Sequence, residues 1–242
     1  PDIGLLTVTE MADNAGRIAD ASGLPLISDA DNGYGGPLNV RRTVQLFEKA
    51  GVAGIHIEDQ TWPKRCGHLS GKALIPAEEM AAKVRAACDA RVDGDFVIIA
   101  RTDAIAVDGL SAALDRAELY ADAGADVIFV ESPRTPEELS EIPKRLTVPA
   151  LFNMASSGKT PFLSRDEIAA LGYRLAIYPN FAILAAIPAV RHYLAELAAQ
   201  GTVSHLVGDM ASFRELFGIA GMEEVKELES RYAVDDKLRV DF

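Results

Sequence analysis

Short, almost continuously apolar runs alternate along this chain with segments of helical period, and this alternation constrains the fold more than any other feature. The runs are LPLISDAD, VAGIHIED, FVIIARTD, ADVIFVES, VPALFNMA and YRLAIYP. Such runs are typical of parallel strands that are buried on both faces. Three segments between them have the spacing of amphipathic helices: PLNVRRTVQLFEKAG, PAEEMAAKVRAACDA and LSAALDRAELYADAG. The alternation predicts an α/β fold with a parallel sheet and right-handed crossovers.

Polar residues mark the carboxyl end of each of the first five runs. They are Asp29 and Asp31, Glu58 and Asp59, Arg101 and Asp103, Glu131, and Asn153. In a β/α barrel this end carries the active site, because the strand ends and the loops that follow them converge there. One acidic strand end is often only a helix cap, but a series that mixes acids with Arg and Asn favours a functional site.

The number of strands leaves two architectures to compare. Six strands do not close an eight-stranded barrel, so a doubly wound open sheet is the alternative. That alternative lacks its glycine fingerprint, since DNGYGG does not open a helix with the required spacing. We therefore predict a (β/α)8 TIM-type barrel whose first two strands are missing from this chain. The barrel is expected over residues 1–203 and a helical C-terminal extension over residues 204–242.

Charge and cysteine content exclude several classes of partner. The 242 residues carry a net charge of −12, whereas nucleic acids and anionic membranes bind basic surfaces. The longest apolar run, AILAAIPAV, is too short to span a bilayer and contains a proline. Cys66 and Cys88 provide no disulfide framework and suit a reducing compartment. We expect a cytoplasmic protein with no signal peptide, because PDIGLLTVTE has neither an initiator Met nor the layout of one.

The stretch EDQTWPKRCGHLSGK concentrates reactive side chains directly after the second apolar run. Lys64, Arg65 and His68 flank Cys66, and nearby positive charge favours the thiolate form of a cysteine. A solvated charged loop would have the same composition, so the stretch alone does not separate a structural from a catalytic role. The role of Trp62 also stays open.

The first strand end offers oxygen ligands for a metal. Asp29 and Asp31 are two residues apart, so on a strand they would point to the same side. With Glu58 from the neighbouring strand they form the all-oxygen set that Mg²⁺ prefers. His56 lies on the side of Glu58, and it is either a hydrogen-bonded core histidine or a further contact of the metal site.

Five segments together resemble the isocitrate lyase/phosphoenolpyruvate mutase superfamily, and in particular its small lyase branch. In chain order they are DADNGYGG, GIHIEDQ, PKRCGHLSGK, IARTDA and NMASSGKTP. That branch includes 2-methylisocitrate lyase, dimethylmalate lyase and oxaloacetate hydrolase. Its most specific motif is Lys-Arg-Cys-Gly-His, since the related mutases and hydrolases of phosphonopyruvate lack that cysteine. NMASSGKTP differs from the Thr-Glu-Phe-Gly type of 2-methylisocitrate lyase, which favours a dimethylmalate or oxaloacetate type.

For the metal, the resemblance implies that Asp29 binds Mg²⁺, or its substitute Mn²⁺, directly. Asp31 and Glu58 would hold the ion directly or through water. Members of the branch begin with two further strands, which bear a Tyr-Ser-Gly type segment and another acidic residue near the metal. Neither is found before Asp29, so a molecule that started at Pro1 would have an incomplete substrate site.

For the chemistry, the resemblance implies that Cys66 is the acid/base on a mobile loop, which His68 supports and Gly67 allows to move. Arg101 would bind the substrate carboxylate or the developing oxyanion. Two further residues would line the substrate pocket, namely Glu131 and Asn153.

These roles describe a Mg²⁺-dependent carbon–carbon lyase that acts on a small anionic substrate, a 2-hydroxy di- or tricarboxylate, through an enediolate. The alternatives are an oxaloacetate hydrolase or decarboxylase, a phosphonopyruvate mutase or hydrolase, and a non-catalytic degenerate barrel. The resemblance also implies a homotetramer built from dimers that exchange a C-terminal helix. The apolar segment FRELFGIAGM agrees, because a helix beyond the barrel must bury that face.

Overall fold

The computed structural model describes residues 2–67, 69–156 and 159–232. Six parallel strands form one sheet, and their order in the sheet equals their order along the chain. They are β1 (Ile27–Asp29), β2 (Gly54–Glu58), β3 (Val97–Thr102), β4 (Val127–Val130), β5 (Ala150–Asn153) and β6 (Leu175–Ile177). All six predicted strands are confirmed, and the α/β class with a parallel sheet is that of the β/α barrels.

Helices precede the first strand and fill most of the connections between strands. They are α1 (Val8–Ser22), α2 (Pro37–Lys49), α3 (Ala77–Cys88), the short α4 (Ile105–Asp108), α5 (Leu110–Asp122), α6 (Pro136–Arg145) and α7 (Arg165–Ala170). The three helices predicted from their period are confirmed as α2, α3 and α5. Sequence analysis missed α1, α6 and α7, although each begins with a capping box, a signal that the sequence does contain.

The C-terminal part of the chain is helical as far as it is described. Helix α8 (Phe181–Gln200) is followed by a 3-10 helix (Ser204–Asp209), α9 (Phe213–Ile219) and α10 (Met222–Tyr232). The chain divides into two compact units, Pro1–Phe181 and Ala182–Phe242. The predicted boundary between residues 203 and 204 places α8 with the barrel, whereas this division groups nearly all of α8 with the second unit.

Helix α8 changes one argument about membranes. Because the apolar run lies within a helix of 20 residues with a mean hydropathy of 1.3, its length and composition alone would allow it to cross a membrane. The expectation concerned the run alone, and the helix that contains it extends its apolar length. The helix also carries Arg191 and Glu196, and one such helix is weak evidence for a membrane span. The exclusion of a membrane partner stays a prediction.

The two faces of the sheet pack against different side chains. A large core between the sheet and the helices includes Ile55, Ile57, Ile98 and Ala100. A small core on the opposite face consists of Ile99, Val127, Phe129 and Leu151. Since side chains alternate between the faces along a strand, a set of polar residues shares the face of the small core, at the carboxyl ends of the strands. These residues are Asp29, His56, Glu58, Arg101, Glu131 and Asn153.

The strand register brings two pairs of these polar residues side by side. Asp29 lies opposite His56 in the pairing of β1 with β2. Glu58 lies opposite Arg101 in the pairing of β2 with β3. Parallel pairing without a shift therefore builds a continuous row of ionisable groups across the first three strands.

The turn after β1 allows a stability test with a matched control. Gly33 has φ 82° and Gly51 has φ 80°, so alanine meets the same left-handed backbone cost at both positions. A Cβ at Gly33 would lie 2.5 Å from Cγ2 of the buried Val40, whereas nothing lies within 4 Å at Gly51. We expect Gly33→Ala to lower the free energy of unfolding by about 1–3 kcal/mol more than Gly51→Ala, because only Gly33→Ala overpacks the core. Urea unfolding measures the difference, and equal losses would contradict the steric argument.

Candidate active site

A buried arginine at the end of β3 is the centre of the site. Arg101 donates hydrogen bonds from Nε and Nη2 to the Asp103 carboxylate, at 3.0 and 3.2 Å. Its Nε also lies 3.4 Å from Oε2 of Glu58, and its Nη2 lies 3.6 Å from Oε2 of Glu131. Burial opposes the charge of Arg101, but the three carboxylates raise its pKa well above the ordinary value. The guanidinium is therefore a permanent cation within an acidic cluster.

The residues around Glu131 hold its carboxylate in place. Ser132 donates a hydrogen bond to Oε1 at 2.7 Å, and Nδ2 of Asn153 donates one to Oε2 at 3.1 Å. The second amide atom, Oδ1 of Asn153, is buried and accepts no hydrogen bond within the described part of the chain. Glu131, Asn153 and Arg101 are thus brought together, as the sequence predicts, and the Asn153 oxygen is one polar atom that is left for a ligand.

The Arg101 guanidinium packs against an aromatic ring. The guanidinium carbon lies 4.9 Å from the centre of the Phe129 ring, within the range of a cation–π interaction. The same ring meets His56 edge-on, with the ring centres 5.9 Å apart. Phe129 therefore orients two polar side chains of the site at once.

Glu58 is a buried carboxylate with incomplete hydrogen bonding. Its side chain is fully buried, and neither of its oxygens accepts a hydrogen bond from the described residues. Burial raises the pKa of Glu58 to about 8, against the opposing effect of Arg101. At neutral pH the carboxyl group therefore keeps its proton although Arg101 lies beside it, and a further cation bound there would favour the carboxylate form.

Lys64 bridges the carboxylates at the end of β1. Its buried ammonium lies 2.8 Å from Oδ1 of Asp31 and 3.8 Å from Oδ2 of Asp29, and it also contacts Oδ1 of Asp2 at 2.5 Å. Burial opposes the charge of Lys64, yet Asp29 and Glu58 raise its pKa. Despite burial, His56 and Lys64 hold the pKa of Asp29 below its usual range.

The local geometry of Asp29 and Asp31 differs from the predicted one. Strand β1 ends at Asp29, and Asp31 follows in a turn with φ 47°, so the two do not share a strand face. The Asp31 N–H donates a hydrogen bond to Oδ1 of Asp29 at 2.8 Å, and this turn brings both carboxylates to Lys64. The proximity that sequence analysis predicts is present, but a turn produces it and strand alternation does not.

The predicted metal ligands do not form a ready-made cluster. Within residues 2–67, 69–156 and 159–232, no three His, Cys, Asp or Glu side chains are grouped so as to hold a metal ion. Lys64 takes the place beside Asp29 and Asp31, and Glu58 faces Arg101. The donor set still fits a hard divalent cation, because it consists of carboxylates and includes the Glu58 oxygens, which accept no hydrogen bond from the described residues. Metal binding at these residues stays a prediction.

Residues 62–72, here called the cysteine loop, are flanked by two short segments that pair with each other. At its base, Gln60 pairs with Leu74 in an isolated bridge, and the Thr61 N–H donates to the Ala73 carbonyl at 2.8 Å. The side chain of Gln60 also bonds both the N–H and the carbonyl of Arg65, at 2.9 and 2.8 Å. The loop is thus held at its base while its tip reaches over the site.

Gly67 lies directly on the acidic cluster. A Cβ at this position would lie 2.5 Å from Nη2 of Arg101 and 2.7 Å from Cγ of Glu131, so only glycine allows this approach. The Gly67 carbonyl accepts a hydrogen bond from the buried ammonium of Lys72, and the Ser132 hydroxyl, which donates to Glu131, lies 3.5 Å from the same carbonyl. Lys72 also forms an ion pair with Asp103 at 3.2 Å. The cysteine loop therefore docks on the site through its backbone and its lysines.

The half-buried Cys66 adjoins Gly67 in the same loop. Its N–H donates to the Asp2 carbonyl at 3.0 Å, and its carbonyl accepts from the Leu69 N–H at 2.8 Å. The loop thus carries the thiol next to the residue that touches Arg101 and Glu131. His68, the predicted support of the loop, lies outside the described residues.

Asp59 belongs to a different network from Glu58. It accepts hydrogen bonds from Thr102, Tyr120 and Arg116 at 2.7, 2.9 and 3.2 Å, on the helix side of the sheet. It also accepts the backbone N–H of Asp103 at 3.0 Å. From the helix side of the sheet, Asp59 therefore fixes the end of β3 and the position of the Arg101–Asp103 pair.

Three residues of the site received no role from the sequence: Lys64, Lys72 and Asp103. Asp103 stands out in the sequence only as a polar strand end, and the two lysines only as charges near Cys66. The excess of acids at the strand ends is a signal in the sequence for the two lysines. Buried carboxylates require cations, and a nearby segment must supply them.

Comparisons with known proteins identify relatives along most of the chain. A protein-family model described as phosphoenolpyruvate phosphomutase matches residues 1–198. The 2,3-dimethylmalate lyase of Eubacterium barkeri is 45% identical over 233 residues, which are 96% of this chain and 81% of that protein. The chloroplastic carboxyvinyl-carboxyphosphonate phosphorylmutase of Arabidopsis thaliana is 44% identical over 237 residues, 96% of this chain and 70% of that protein. The 2-methylisocitrate lyase of Aeropyrum pernix is 41% identical over 227 residues, 94% of this chain and 73% of that protein.

Solved structures agree with this range of relatives. A 2,3-dimethylmalate lyase superposes with a TM-score of 0.91 at 36% identity, over 100% of this chain and 81% of that chain. An oxaloacetate acetylhydrolase in complex with 3,3-difluorooxalacetate gives a TM-score of 0.90 at 36% identity, over 98% and 80% of the two chains. A phosphonopyruvate hydrolase in complex with oxalate and Mg²⁺ gives a TM-score of 0.85 at 34% identity, over 96% and 81%.

The raised pKa of Glu58 predicts a pH dependence of stability in EDTA. Between pH 4.5, the ordinary pKa, and about 8, the folded state keeps a proton on Glu58 that the unfolded state has lost. The free energy of unfolding should then fall as the pH rises through this window, by up to about 1.4 kcal/mol per pH unit for one proton. Glu58→Gln should remove this contribution. Urea unfolding from pH 5 to 8 measures it, and parallel pH profiles of both proteins would show that Glu58 does not titrate in this way.

Proposed function

The chain belongs to the phosphoenolpyruvate mutase/isocitrate lyase superfamily and is an enzyme of the carbon–carbon lyase type, and on this basis we propose that it cleaves a 2-hydroxy di- or tricarboxylate. The substrate would be of the 2,3-dimethylmalate or 2-methylisocitrate type, and one product would be a 2-oxo acid. The reaction would proceed through an enediolate and would depend on Mg²⁺, with Mn²⁺ as a substitute.

The observation that carries this proposal is the contact of Gly67 with Arg101 and Glu131. It places the cysteine loop over the one buried guanidinium in the row of strand ends. Cys66, whose thiol can donate a proton, is thereby the chain neighbour of the residue that lies against a fixed positive charge. Carbon–carbon cleavage beside a carboxylate requires both, because it leaves an anion that must be stabilised and then protonated.

The metal would be held by the carboxylates at the first two strand ends. Asp29 and Asp31 would bind it, and Glu58 would hold it directly or through water. When bound, Mg²⁺ supplies positive charge that offsets the negative charge developed during cleavage. Two observations support this assignment: the Glu58 oxygens accept no hydrogen bond from the described residues, and a pair of carboxylates lies beside Lys64.

Arg101 would orient the substrate and stabilise the anion. Its guanidinium is held by Asp103 and Phe129, so it needs no reorganisation when a substrate carboxylate arrives. The buried amide oxygen of Asn153 would accept a hydrogen bond from a substrate hydroxyl. Glu131 would line the same pocket and fix the Asn153 amide.

Cys66 would complete the reaction as a general acid. In the cleavage direction the 2-hydroxyl would pass its proton to the carboxylate of Glu131, which lines the same pocket, and become a carbonyl, while the electrons of the carbon–carbon bond pass into the enediolate. The enediolate then takes a proton at carbon from the Cys66 thiol. The cysteine loop would exclude water during this step, since bulk water would protonate the intermediate unselectively.

Two enzymatic alternatives have support from the comparisons. The similarity to oxaloacetate acetylhydrolase favours cleavage or decarboxylation of oxaloacetate as the second candidate. A phosphonopyruvate mutase or hydrolase is the third candidate, supported by the relatives that act on phosphorus–carbon compounds. A degenerate barrel without activity is the non-enzymatic alternative.

The architecture and the assembly are also proposals. We propose that β1–β6 are strands 3–8 of an eight-stranded barrel, and that residues 204–242 are exchanged between subunits of a dimer of dimers. Exposed apolar residues support the exchange, among them Phe213, Leu216 and Ile219. Light scattering at micromolar concentration tests this assembly. A cytoplasmic location without nucleic-acid or membrane partners agrees with the net charge of −12 and with two cysteines that form no disulfide.

A substrate panel tests the proposed reaction. The protein with Mg²⁺ should release a 2-oxo acid from 2,3-dimethylmalate or 2-methylisocitrate, measured as hydrazone absorbance, and EDTA should abolish the release. Unsubstituted malate and citrate are the controls for substrate class. Turnover of oxaloacetate alone would favour the second candidate, and turnover of phosphonopyruvate alone would favour the third.

Serine variants of the two cysteines test the role of Cys66 as the general acid. Cys66→Ser should lower kcat by roughly 10² to 10⁴, the contribution of a positioned acid, because serine is far less acidic. KM should change little, since binding is assigned to Arg101 and the metal. Cys88→Ser is the matched control: Cys88 lies in α3 and its thiol donates to the Gly124 carbonyl at 3.1 Å, away from the site. Wild-type turnover by Cys66→Ser would show that the cysteine has only a structural role in the loop.

A further inference from the structure

We infer that Lys64 is an internal cation that neutralises Asp29 and Asp31 when no divalent cation is bound, and that a divalent cation displaces its ammonium and thereby shifts the cysteine loop. The inference rests on the proposed function, because it assumes that these two carboxylates form the cation site. It adds a role for the loop lysine as a competitor for that site and as a link between the site and the loop.

Electrostatic repulsion between Asp29 and Asp31 requires a cation at the position of Lys64. The Lys64 side chain is only 3% exposed, and its ammonium lies 2.8 Å from the carboxylate of Asp31, itself 8% exposed. Without a cation, two carboxylates joined through one turn would repel each other in a site with little water. The ammonium thus occupies the place of the positive charge that the site requires. A divalent cation provides two charges, so it would satisfy both carboxylates without Lys64.

Lys64 has another acidic partner. Its ammonium also contacts Asp2, whose side chain is 53% exposed. After displacement by a divalent cation, Lys64 keeps an ion pair with Asp2 and is not left as a buried, unpaired charge, which would be costly. The exchange is therefore a move of one ammonium between neighbouring carboxylates.

The backbone around Asp2 connects this exchange to the segment that carries Cys66. Lys64 is two residues from Cys66, and the Cys66 N–H is bonded to the Asp2 carbonyl at 3.0 Å. Lys64 and Cys66 thus share the same anchor, and a shift of the lysine changes the position of the thiol. Binding of a divalent cation would in this way set the acid in place before the substrate enters.

The sequence provides a probe of the movement. Trp62 is the single tryptophan of the chain and lies two residues before Lys64. Its ring lies against Gly4, where an added Cβ would be 2.8 Å from the ring, and the side chain is 52% exposed. A shift of Lys64 alters this contact and the exposure of the ring to water, so the emission of Trp62 reports on the loop.

The experiment titrates the metal-free protein with MgCl2 and follows both calorimetry and Trp62 emission. In the wild type we expect the two signals to give the same Kd. Lys64→Gln should bind Mg²⁺ more tightly by roughly ten- to a hundredfold, the range that corresponds to one charge-assisted hydrogen bond. Its Trp62 emission should already be shifted in EDTA and should no longer respond to Mg²⁺.

Arg65→Gln is the matched control, because it removes the same charge from the same loop. Arg65 is exposed and donates to the Ser70 carbonyl at 3.3 Å, away from Asp29 and Asp31. It should keep the wild-type Kd and the wild-type emission change. An equal gain in affinity by Arg65→Gln would show a general charge effect and would overturn the inference.

Three further results decide the question. Equal or weaker Mg²⁺ binding by Lys64→Gln would show that Lys64 supports the site and does not compete for it. Calorimetric binding to the wild type without any change in Trp62 emission would overturn the link to the loop, and this measurement does not depend on the folding of a variant. Absence of Mg²⁺ binding to every protein would instead overturn the metal site of the proposed function, and the inference with it.

Discussion

The site depends on one buried guanidinium. Arg101 lies among the carboxylates of Glu58, Asp103 and Glu131, at distances of 3.0 to 3.6 Å. Three acids in so little water would repel one another and favour protonation if this charge were absent. Burying an ion pair costs desolvation that its Coulomb energy barely offsets, so the cluster is poor evidence for stability and good evidence for a function that needs fixed charge.

The cysteine loop supplies further positive charge to the acids of the site. Its two buried lysines reach opposite sides of the site, Lys72 to Asp103 and Lys64 to Asp29 and Asp31. The loop that carries Cys66 therefore also carries cations that the acidic strand ends require. Neither lysine could remain in contact with these acids if the loop moved away, so the position of the loop and the charge balance of the site are linked.

Packing on both faces of the sheet keeps these groups in position. Phe129 lies under Arg101 and His56 on the face of the small core. On the helix side, Asp59 is bonded to Thr102, Tyr120 and Arg116, which fixes the end of β3. The charged residues of the site are thus held by a rigid sheet, while the thiol is on a loop. This division suits chemistry in which positive charge stays fixed and a proton donor arrives with closure.

The strands, their parallel arrangement and the acidic row at their carboxyl ends can be predicted from the sequence, because apolar runs and the helical period between them are local properties. Alternation would also have separated Glu58 from Asp59, a distinction that sequence analysis did not use. Which lysine forms an ion pair with which acid depends on the tertiary fold. Lys64 and Lys72 reach Asp31 and Asp103 across gaps of more than thirty residues in sequence, and Asp31 reaches its place through a turn at positive φ. Such contacts depend on how a loop folds over the sheet, and no local pattern of residues encodes that path.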